Sequence, residues 1–559
     1  TMKVNVLGAG REVGRSCIVV TLGGKNIMFD CGIHPAFQGA KVLPFFDSID
    51  CKTIDLVLCS HFHIDHCAAI PYFVNKTDFS GPVFMTHPTK EIYKLVMSDF
   101  SRVSQLGSGM GGNTDVPTIF SHEDVIRSFD RIEPINIHQM YEYNGIKFKA
   151  YLAGHVLGAC MFMVEVAGKR LLYTGDFSSN EDRHLLSAEI PHEYIDAVIC
   201  ESTFGRGLHE PRLRRENRFI KYVLDIVRRG GKCLVPVFAV GRAQELLLIL
   251  ESVWRLYPEI LGHIPIYYAS HTSQRAMEIF RENIAFMNKR VKDLSESQHP
   301  PFEFEYVSEF PQSAVSVAFK NDASAFNIDV ALRTDLERKE KKRLSILKKD
   351  GMSKTTGTSS LSHESKSSSS SYSRLMRTHQ VKRHDSFPCV VLAAPGMLQS
   401  GLSRHLFDKW ASDGNNGVVI TGYCVEGTFG FDILREPTEI TTLGGVRVAR
   451  QIEIKEVSFS AHSDYPQTRD FLTKLMPRHV VLVHGRKKRG IALAEELERH
   501  FLDKLKEEEF KRREEQDRIT LEEEERKAKE LQEKGEKEEE KKEEEEEEEE
   551  QGQTFKQSL

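Results

Sequence analysis

His61-Phe62-His63-Ile64-Asp65-His66 puts four metal-capable side chains within six residues, directly after the apolar run Ile54-Asp-Leu-Val-Leu-Cys59. A buried strand that ends in crowded imidazoles and a carboxylate gives up apolar burial and gathers polar groups that need partners. A metal site accounts for that cost, and imidazole with carboxylate suits zinc. Successive side chains of an extended segment point opposite ways, so residues two apart share a side. His61 and His63 therefore serve one ion, and Asp65 and His66, past the bend, serve a second.

Other apolar runs end the same way. His155 follows a strand in Ala153-Gly-His-Val-Leu-Gly158, Asp176 closes Leu171-Leu-Tyr-Thr-Gly-Asp176, and His484 closes Val480-Val-Leu-Val-His484. Singly, each reads as well as a structural histidine or a turn aspartate. Their repetition at strand ends is informative, because layered α/β folds build sites there. Two shells result: His61, His63 and His155 in one, Asp65, His66 and His484 in the other. Asp176 bridges, since a carboxylate offers one oxygen to each ion. Two ions about 3.5–4 Å apart acidify a shared water and clamp a phosphoryl oxygen. Asp30, which ends Ile27-Met-Phe-Asp30, reads either as support that orients an imidazole or as a plain turn residue.

The chain has 559 residues and a formal net charge of −6. That charge is polarised. Residues 507–559 hold 24 acidic and 12 basic side chains, and 331–385 hold 14 basic and 6 acidic, so the remainder is close to neutral. Bulk charge therefore gives the folded part no argument for nucleic-acid binding; the site must carry it. The ten cysteines form no CxxC pair and several sit in apolar runs, which reads as reduced, buried thiols of an intracellular protein. No run of about 20 apolar residues occurs, so no membrane partner is expected. Thr1-Met-Lys-Val-Asn-Val6 reads as a strand and not a signal peptide, with Thr1 suggesting an incomplete start.

Residues 1–205 alternate short strands, Gly turns and helices, which implies an α/β sandwich. Between about 213 and 320 strand and helix alternate as in a second, parallel α/β domain. Residues 313–384, rich in Lys, Arg and then Ser, read as a disordered insertion. Order returns at Cys389-Val-Val-Leu-Ala-Ala394. Beyond about residue 500 a solvated Glu/Lys-rich helix leads into the acidic run Glu543–Glu550, without a sustained heptad. Gly8-Ala-Gly-Arg-Glu-Val-Gly14 superficially matches a dinucleotide loop, but its spacing is GxGxxxG and a strand follows where a helix is required. The basic runs Lys339–Lys349 and Arg486–Arg489 read equally as nuclear-localisation signals, RNA contacts or solvated charge.

His-x-His-x-Asp-His followed by a distant His and a Gly-Asp resembles the metallo-β-lactamase fold. Cys200-Glu-Ser-Thr-Phe-Gly205, Pro236-Val-Phe-Ala-Val-Gly-Arg-Ala-Gln-Glu245, Ala394-Pro-Gly-Met-Leu-Gln-Ser-Gly401 and Ser458-Phe-Ser-Ala-His-Ser-Asp464 resemble the β-CASP nucleases, most closely those that process pre-mRNA 3′ ends. The likeness covers roughly residues 2–312 and 386–484. It implies a four-layer αββα metallo-β-lactamase sandwich with an inserted α/β β-CASP domain. The boundaries expected are 1–205 and 456–500 for the sandwich, 206–455 for the insertion, and 501–559 for the tail. The resemblance also implies two Zn2+ on His61, His63, Asp65, His66, His155, Asp176 and His484. It makes His462 the general acid, with Glu201 hydrogen-bonded to it and Asp65 among the catalytic residues. A histidine at 484 is the mark of RNA-processing members.

The function implied is a zinc-dependent endoribonuclease that cleaves pre-mRNA at the polyadenylation site by metal-activated water attack, leaving a 3′-hydroxyl and a 5′-phosphate. The partners implied are single-stranded pre-mRNA and the subunits of a cleavage and polyadenylation complex, including an inactive homologue and a scaffold, in the nucleus. Alternatives on the same fold are an Integrator-type endonuclease and a 5′–3′ exoribonuclease. A non-catalytic scaffold is disfavoured because such members lose ligands that this chain keeps. Arg486 stands where the family has Glu, and a charged tail stands where the resemblance would put a folded C-terminal domain.

Overall fold

In the computed structural model the described residues are 2–109, 119–270, 272–318, 330–335, 337–338 and 387–557. Two compact units emerge, Thr1–Leu493 and Ala494–Leu559.

The first unit opens with a six-stranded sheet in chain order: β1 (Met2–Gly8), β2 (Cys17–Leu22), β3 (Lys25–Phe29), β4 (Leu56–Leu58), β5 (Val83–Thr86) and β6 (Ile132–Ile135). Its inner strands are buried on both faces, and the two periodic sets separate cleanly. Ile18, Val20, Leu22, Ile27 and Phe29 enter one core, whereas Cys17, Val19 and Met28 enter another, with Ile70, Phe73 and Tyr93 of the covering helices. A second sheet follows from β7 (Met140–Tyr143), β8 (Ile146–Leu152), β9 (Cys160–Val166), β10 (Lys169–Tyr173) and β11 (Ala197–Glu201). Phe148, Phe162, Leu171 and Ile199 face the first sheet in their shared core, so the two sheets pack face to face.

The chain then builds a third sheet from β12 (Lys232–Pro236), β13 (Ile266–Ala269), β14 (Val307–Glu309), β15 (Cys389–Ala393) and β16 (Gly417–Ile420). A hairpin, β17 (Glu439–Thr441) with β18 (Arg447–Ala449), precedes β19 (Glu453–Glu456), and β20 (His479–Val483) comes last. The third sheet is parallel throughout, in the order β14-β13-β15-β12-β16-β19. Such a sheet is covered on both faces, which explains the fully buried runs Cys389–Ala393 and Gly417–Ile420. β20 returns to the second sheet and pairs in parallel with β11. The fold is thus the sandwich with a second α/β domain that the sequence led us to expect.

Most of the expected disordered insertion lies outside the described residues. Its start requires correction: residues 313–318 complete the helix Gln312–Ala318, and Ala314, Ala318 and Leu332 are buried in the core of the third sheet. Small apolar residues at helical spacing, not the charged run behind them, decide that boundary.

The ten cysteines are free, and all but Cys51 are buried. The second unit is the part of the helix Lys487–Gln557 from Ala494 on, and the helix runs on through Glu543–Glu550, in keeping with the helix propensity of glutamate. Ion pairs one turn apart, such as Arg526–Glu530 at 3.7 Å, line its solvated surface.

Candidate metal centre

Parallel neighbours deliver their C-terminal ends to one edge of a sheet. β10, β11 and β20 are parallel in that order, with Tyr173 opposite Ile199 and Glu201 opposite Val483. Asp176, Glu201 and His484 consequently emerge side by side. In the first sheet β3 and β4 are parallel, with Phe29 opposite Leu58, which brings Asp30 against the segment that leads into His61. The short helix Ile64–Cys67 then turns Asp65 and His66 back toward the same edge. Gly32 permits this turn, because a Cβ there would lie 1.8 Å from the Asp65 carbonyl oxygen. Asp30, His155 and His484 all adopt left-handed backbone, with φ of 57°, 54° and 51°. That conformation costs non-glycine residues on the order of 1 kcal/mol each, and such strain concentrates at functional sites.

The sequence-predicted residues converge. His61 Nε2 lies 3.0 Å from His63 Nδ1, which lies 3.1 Å from His155 Nε2. Asp176 Oδ2 is 3.7 Å from both His61 Nε2 and His155 Nε2. On the other side His484 Nε2 is 3.2 Å from His66 Nε2 and 3.3 Å from Asp65 Oδ2, and His66 Nε2 is 3.2 Å from Asp176 Oδ2. Two donor groups result, with Asp176 Oδ2 near both. His61, His63, His155 and Asp176 form one set with the mutual spacing a single cation requires, and Asp65, His66 and His484 form another.

The donor set fits metal ions. Zinc bonds of about 2.0–2.1 Å in a tetrahedron separate ligand atoms by roughly 3.3 Å, close to the spacings above. Asp176 Oδ1 is buried without a hydrogen bond of its own, although His484 Nδ1 lies 3.2 Å away. Burial holds the His61, His63 and His155 imidazoles below their usual range, His63 at about 4, so they are neutral at physiological pH, as ligands must be. Burial also works against charge on His66, but Asp176, Asp65 and Asp30 outweigh it and raise its pKa. The field that holds a proton there favours any cation.

Outer hydrogen bonds fix four of the rings. His61 Nδ1 meets Ser60 Oγ at 2.9 Å, His66 Nδ1 meets Asp30 Oδ2 at 2.7 Å, and His155 Nδ1 donates to the Ala461 carbonyl at 3.1 Å. His484 Nδ1 is 2.9 Å from Thr203 Oγ1. Asp30 itself accepts from the Ser60 amide and hydroxyl and from Tyr173 Oη at 2.6 Å.

Glu201 and His462 stand beside these groups. His462 Nδ1 lies 2.8 Å from Glu201 Oε2 and 3.6 Å from Asp176 Oδ2. Burial would discharge this imidazole, but Glu201 and Asp176 overcome it and raise its pKa to about 9. Glu201 Oε2 also accepts from Thr203 Oγ1 at 2.6 Å, and Oε1 accepts from the Phe177 amide at 2.9 Å. With Asp176 and His484 this pair forms a third set spaced for a cation. The Nδ1 contact to Glu201 suits proton transfer better.

Residues of the third-sheet domain close in on the centre. A Cβ built on Gly241 would sit 3.8 Å from His63 Nε2, and Phe238 lies 6.1 Å from the His63 ring. Arg242 Nη2 donates to the His155 carbonyl at 2.6 Å while Nη1 donates to Asp182 and Glu245. Sequence reading missed Ser60, Tyr173, Thr203 and Arg242 as parts of the site. Thr203 and Arg242 stand inside the motifs Cys200–Gly205 and Pro236–Glu245 and were within reach. The Ala461 carbonyl carries no side-chain signal.

Comparison with known proteins agrees with this geometry. Residues 19–203 match a metallo-β-lactamase superfamily domain, 243–433 a β-CASP domain, and 447–508 a zinc-dependent metallo-hydrolase RNA specificity domain. The chain is 45% identical over 486 residues to cleavage and polyadenylation specificity factor subunit 3 of Dictyostelium discoideum, covering 87% of this chain and 53% of that protein. It is 42% identical over 500 residues to cleavage and polyadenylation specificity factor 73 of Drosophila melanogaster, covering 89% and 62%. It is 40% identical over 504 residues to endoribonuclease YSH1 of Mycosarcoma maydis, covering 89% and 49%. The chain thus spans about half to three-fifths of the length of these relatives. The first family match implies metal ions, and the donor groups above are where this chain could hold them.

Proposed function

This chain belongs to the β-CASP branch of the metallo-β-lactamase superfamily, and we propose that it is a two-zinc endoribonuclease that cuts pre-mRNA at the 3′-end processing site. One observation carries the reading. Imidazoles and carboxylates from four segments, 61–66, 155, 176 and 484, meet at the spacing of metal ligands, and a Glu201–His462 pair adjoins them at 2.8 Å. The relatives are named as an endoribonuclease and as subunits of a cleavage and polyadenylation factor, which supports this substrate class.

His61, His63 and His155 would hold one ion, Asp65, His66 and His484 the other, and Asp176 both. When bound, a pair of divalent ions supplies an acidified water and neutralises charge on the phosphoryl oxygens. The chain's own residues do the rest. Asp30, Ser60, Thr203 and the Ala461 carbonyl hold the imidazoles in one tautomer and orientation, as outer hydrogen bonds do in metal sites. Asp65 faces the reaction side with its carboxylate ionised: burial opposes the charge, and His66 and His484 favour it. His462 donates its Nε2 proton to the departing 3′-oxygen, and Glu201, which holds the Nδ1 side, keeps the imidazole charged and oriented. The products are a 3′-hydroxyl and a 5′-phosphate. Phe238 and Gly241 border His63 and narrow access to a single strand.

The same reading puts the chain in the nucleus, within a cleavage and polyadenylation complex that includes an inactive homologue and a scaffold. It also sets the domain limits at 1–205 with 456–500, 206–455, and 501–559. The test is cleavage of end-labelled and circular single-stranded RNA by the zinc-loaded chain, with product ends mapped. Cuts in the circle with 3′-hydroxyl and 5′-phosphate ends are expected, and none from Asp65→Asn/His66→Ala. Attack on linear RNA alone would indicate an exonuclease, and hydrolysis of a thioester without RNA cleavage a different enzyme.

A further inference from the structure

Two phenylalanines project into solvent beside the metal centre although their loop has a core to enter. Val42, Leu43 and Phe46 of this loop are buried, and Phe46 packs on Phe73 at 5.0 Å, whereas Phe37 is 43% exposed and Phe45 57% exposed. Arg15 ties the two together, its guanidinium carbon 5.5 Å from the Phe37 ring centre and 4.5 Å from that of Phe45. Arg15 is held in this place by Glu12 at 2.6 Å and by the Lys41 carbonyl at 3.2 Å, with its backbone at a φ of 46° that non-glycine residues rarely adopt. The His34 ring stacks on Phe37 at 4.1 Å. The rings are thus pre-set, not loose.

The platform adjoins the site. Arg15 precedes Ser16, whose amide donates to the Asp65 carbonyl at 2.8 Å and whose Oγ lies 3.5 Å from His66 Nε2. The Lys487 amide donates to the Arg11 carbonyl at 3.2 Å, which draws the basic run after His484 onto the same rim. Arg11, Lys41, Lys487 and Lys488 are exposed there, Glu12 is taken up by Arg15, and Asp47 is an exposed acid two residues from Phe45. Planar exposed rings among cations suit unstacked bases on a phosphate backbone, because every base offers a π-face to an aromatic side chain.

We propose that Phe37 and Phe45, fixed about Arg15 and rimmed by Arg11, Lys41 and Lys487, form a platform on which the bases of single-stranded RNA stack beside the metal centre. The proposal rests on the nuclease reading for its ligand and deepens it by assigning the substrate's path.

The test uses the full chain loaded with zinc and a phosphorothioate single-stranded RNA of about 15 nucleotides, which matches the usual reach of such surfaces. Phe37→Ala/Phe45→Ala should raise Kd about tenfold or more for the single strand. It should leave affinity for the same sequence as a duplex, hydrolysis of bis(p-nitrophenyl) phosphate and the thermal midpoint unchanged. Arg11→Glu/Lys487→Glu should lower the slope of log affinity against log salt by about 0.7 per lost phosphate contact. Unchanged single-strand affinity in the folded Phe37→Ala/Phe45→Ala variant overturns the platform and leaves the rings to a protein contact. Failure of the wild-type chain to hydrolyse the small diester counts against the nuclease reading instead, and the affinity comparison still decides the platform.

Discussion

Glu201 and His462, 261 positions apart in the chain, meet at 2.8 Å, and the Glu201 oxygen that holds His462 Nδ1 also accepts from Thr203, which in turn contacts His484. One carboxylate thereby links His462 to the candidate metal ligands. If His462 is the general acid, its loss should matter only where the leaving group needs a proton. His462→Ala should cut the rate on RNA by about 10²–10⁴. On a p-nitrophenyl phosphodiester, whose leaving group departs as an anion, the loss should be far smaller. Parallel kcat/KM measurements check this, and equal losses on both substrates would speak against the role.

Asp30 gathers four donors, two from Ser60 and one each from Tyr173 and His66, in a wholly buried place. Asp30→Asn replaces one accepting oxygen with a donor and leaves His66 without its anchor. Metal affinity should fall about 10–100-fold. Competition with a chelator of known affinity measures it, and circular dichroism confirms that the fold survives. An unchanged affinity would reduce Asp30 to a turn residue.

Arg242 joins the two α/β domains through one guanidinium, which spans the His155 carbonyl, Asp182 and Glu245. Arg242→Met strands two buried carboxylates and should destabilise the protein by about 3–5 kcal/mol, as removal of one partner from a buried pair does. Denaturant unfolding gives the figure. A loss under about 1 kcal/mol would mean that the guanidinium is replaced by water.

The same cluster predicts a pH dependence. Burial alone would raise the pKa of Asp182, but His184, Arg242 and the Leu185 amide outweigh it and hold the carboxyl well below its usual range. A carboxyl depressed in the folded state stabilises it above the unfolded pKa of about 3.9, and that stabilisation fades as pH falls through the folded value. The thermal midpoint of Asp182→Asn should therefore lie below that of the wild type at neutral pH. The gap should narrow as pH drops below about 4. A constant gap across that range would show that the carboxylate's charge contributes nothing.

The sequence was legible where ligand-type residues end apolar runs. His61, His63, Asp65, His66, His155, Asp176 and His484 each follow a strand, and a strand end is where a layered α/β fold exposes a residue to its site. Glu201 and His462 became legible only through a family motif, since a lone Glu or His before a Ser has no distinguishing context. The adjacency of β10, β11 and β20 was not legible, because parallel pairing over a whole intervening domain leaves no local pattern. Nor were the supports Ser60 and the Ala461 carbonyl, which carry no distinguishing sequence context. The start of the basic insertion was misplaced because charge drew the boundary, whereas two buried alanines, Ala314 and Ala318, determine it.

The central claim is that seven side chains hold two ions with Asp176 between them, and metal stoichiometry tests it most directly. Elemental analysis of the purified chain after dialysis against zinc should give two equivalents per chain, with loss of one by His484→Ala and of both by Asp176→Asn. Fewer than two equivalents in the wild-type chain, or full occupancy in Asp176→Asn, would contradict the account.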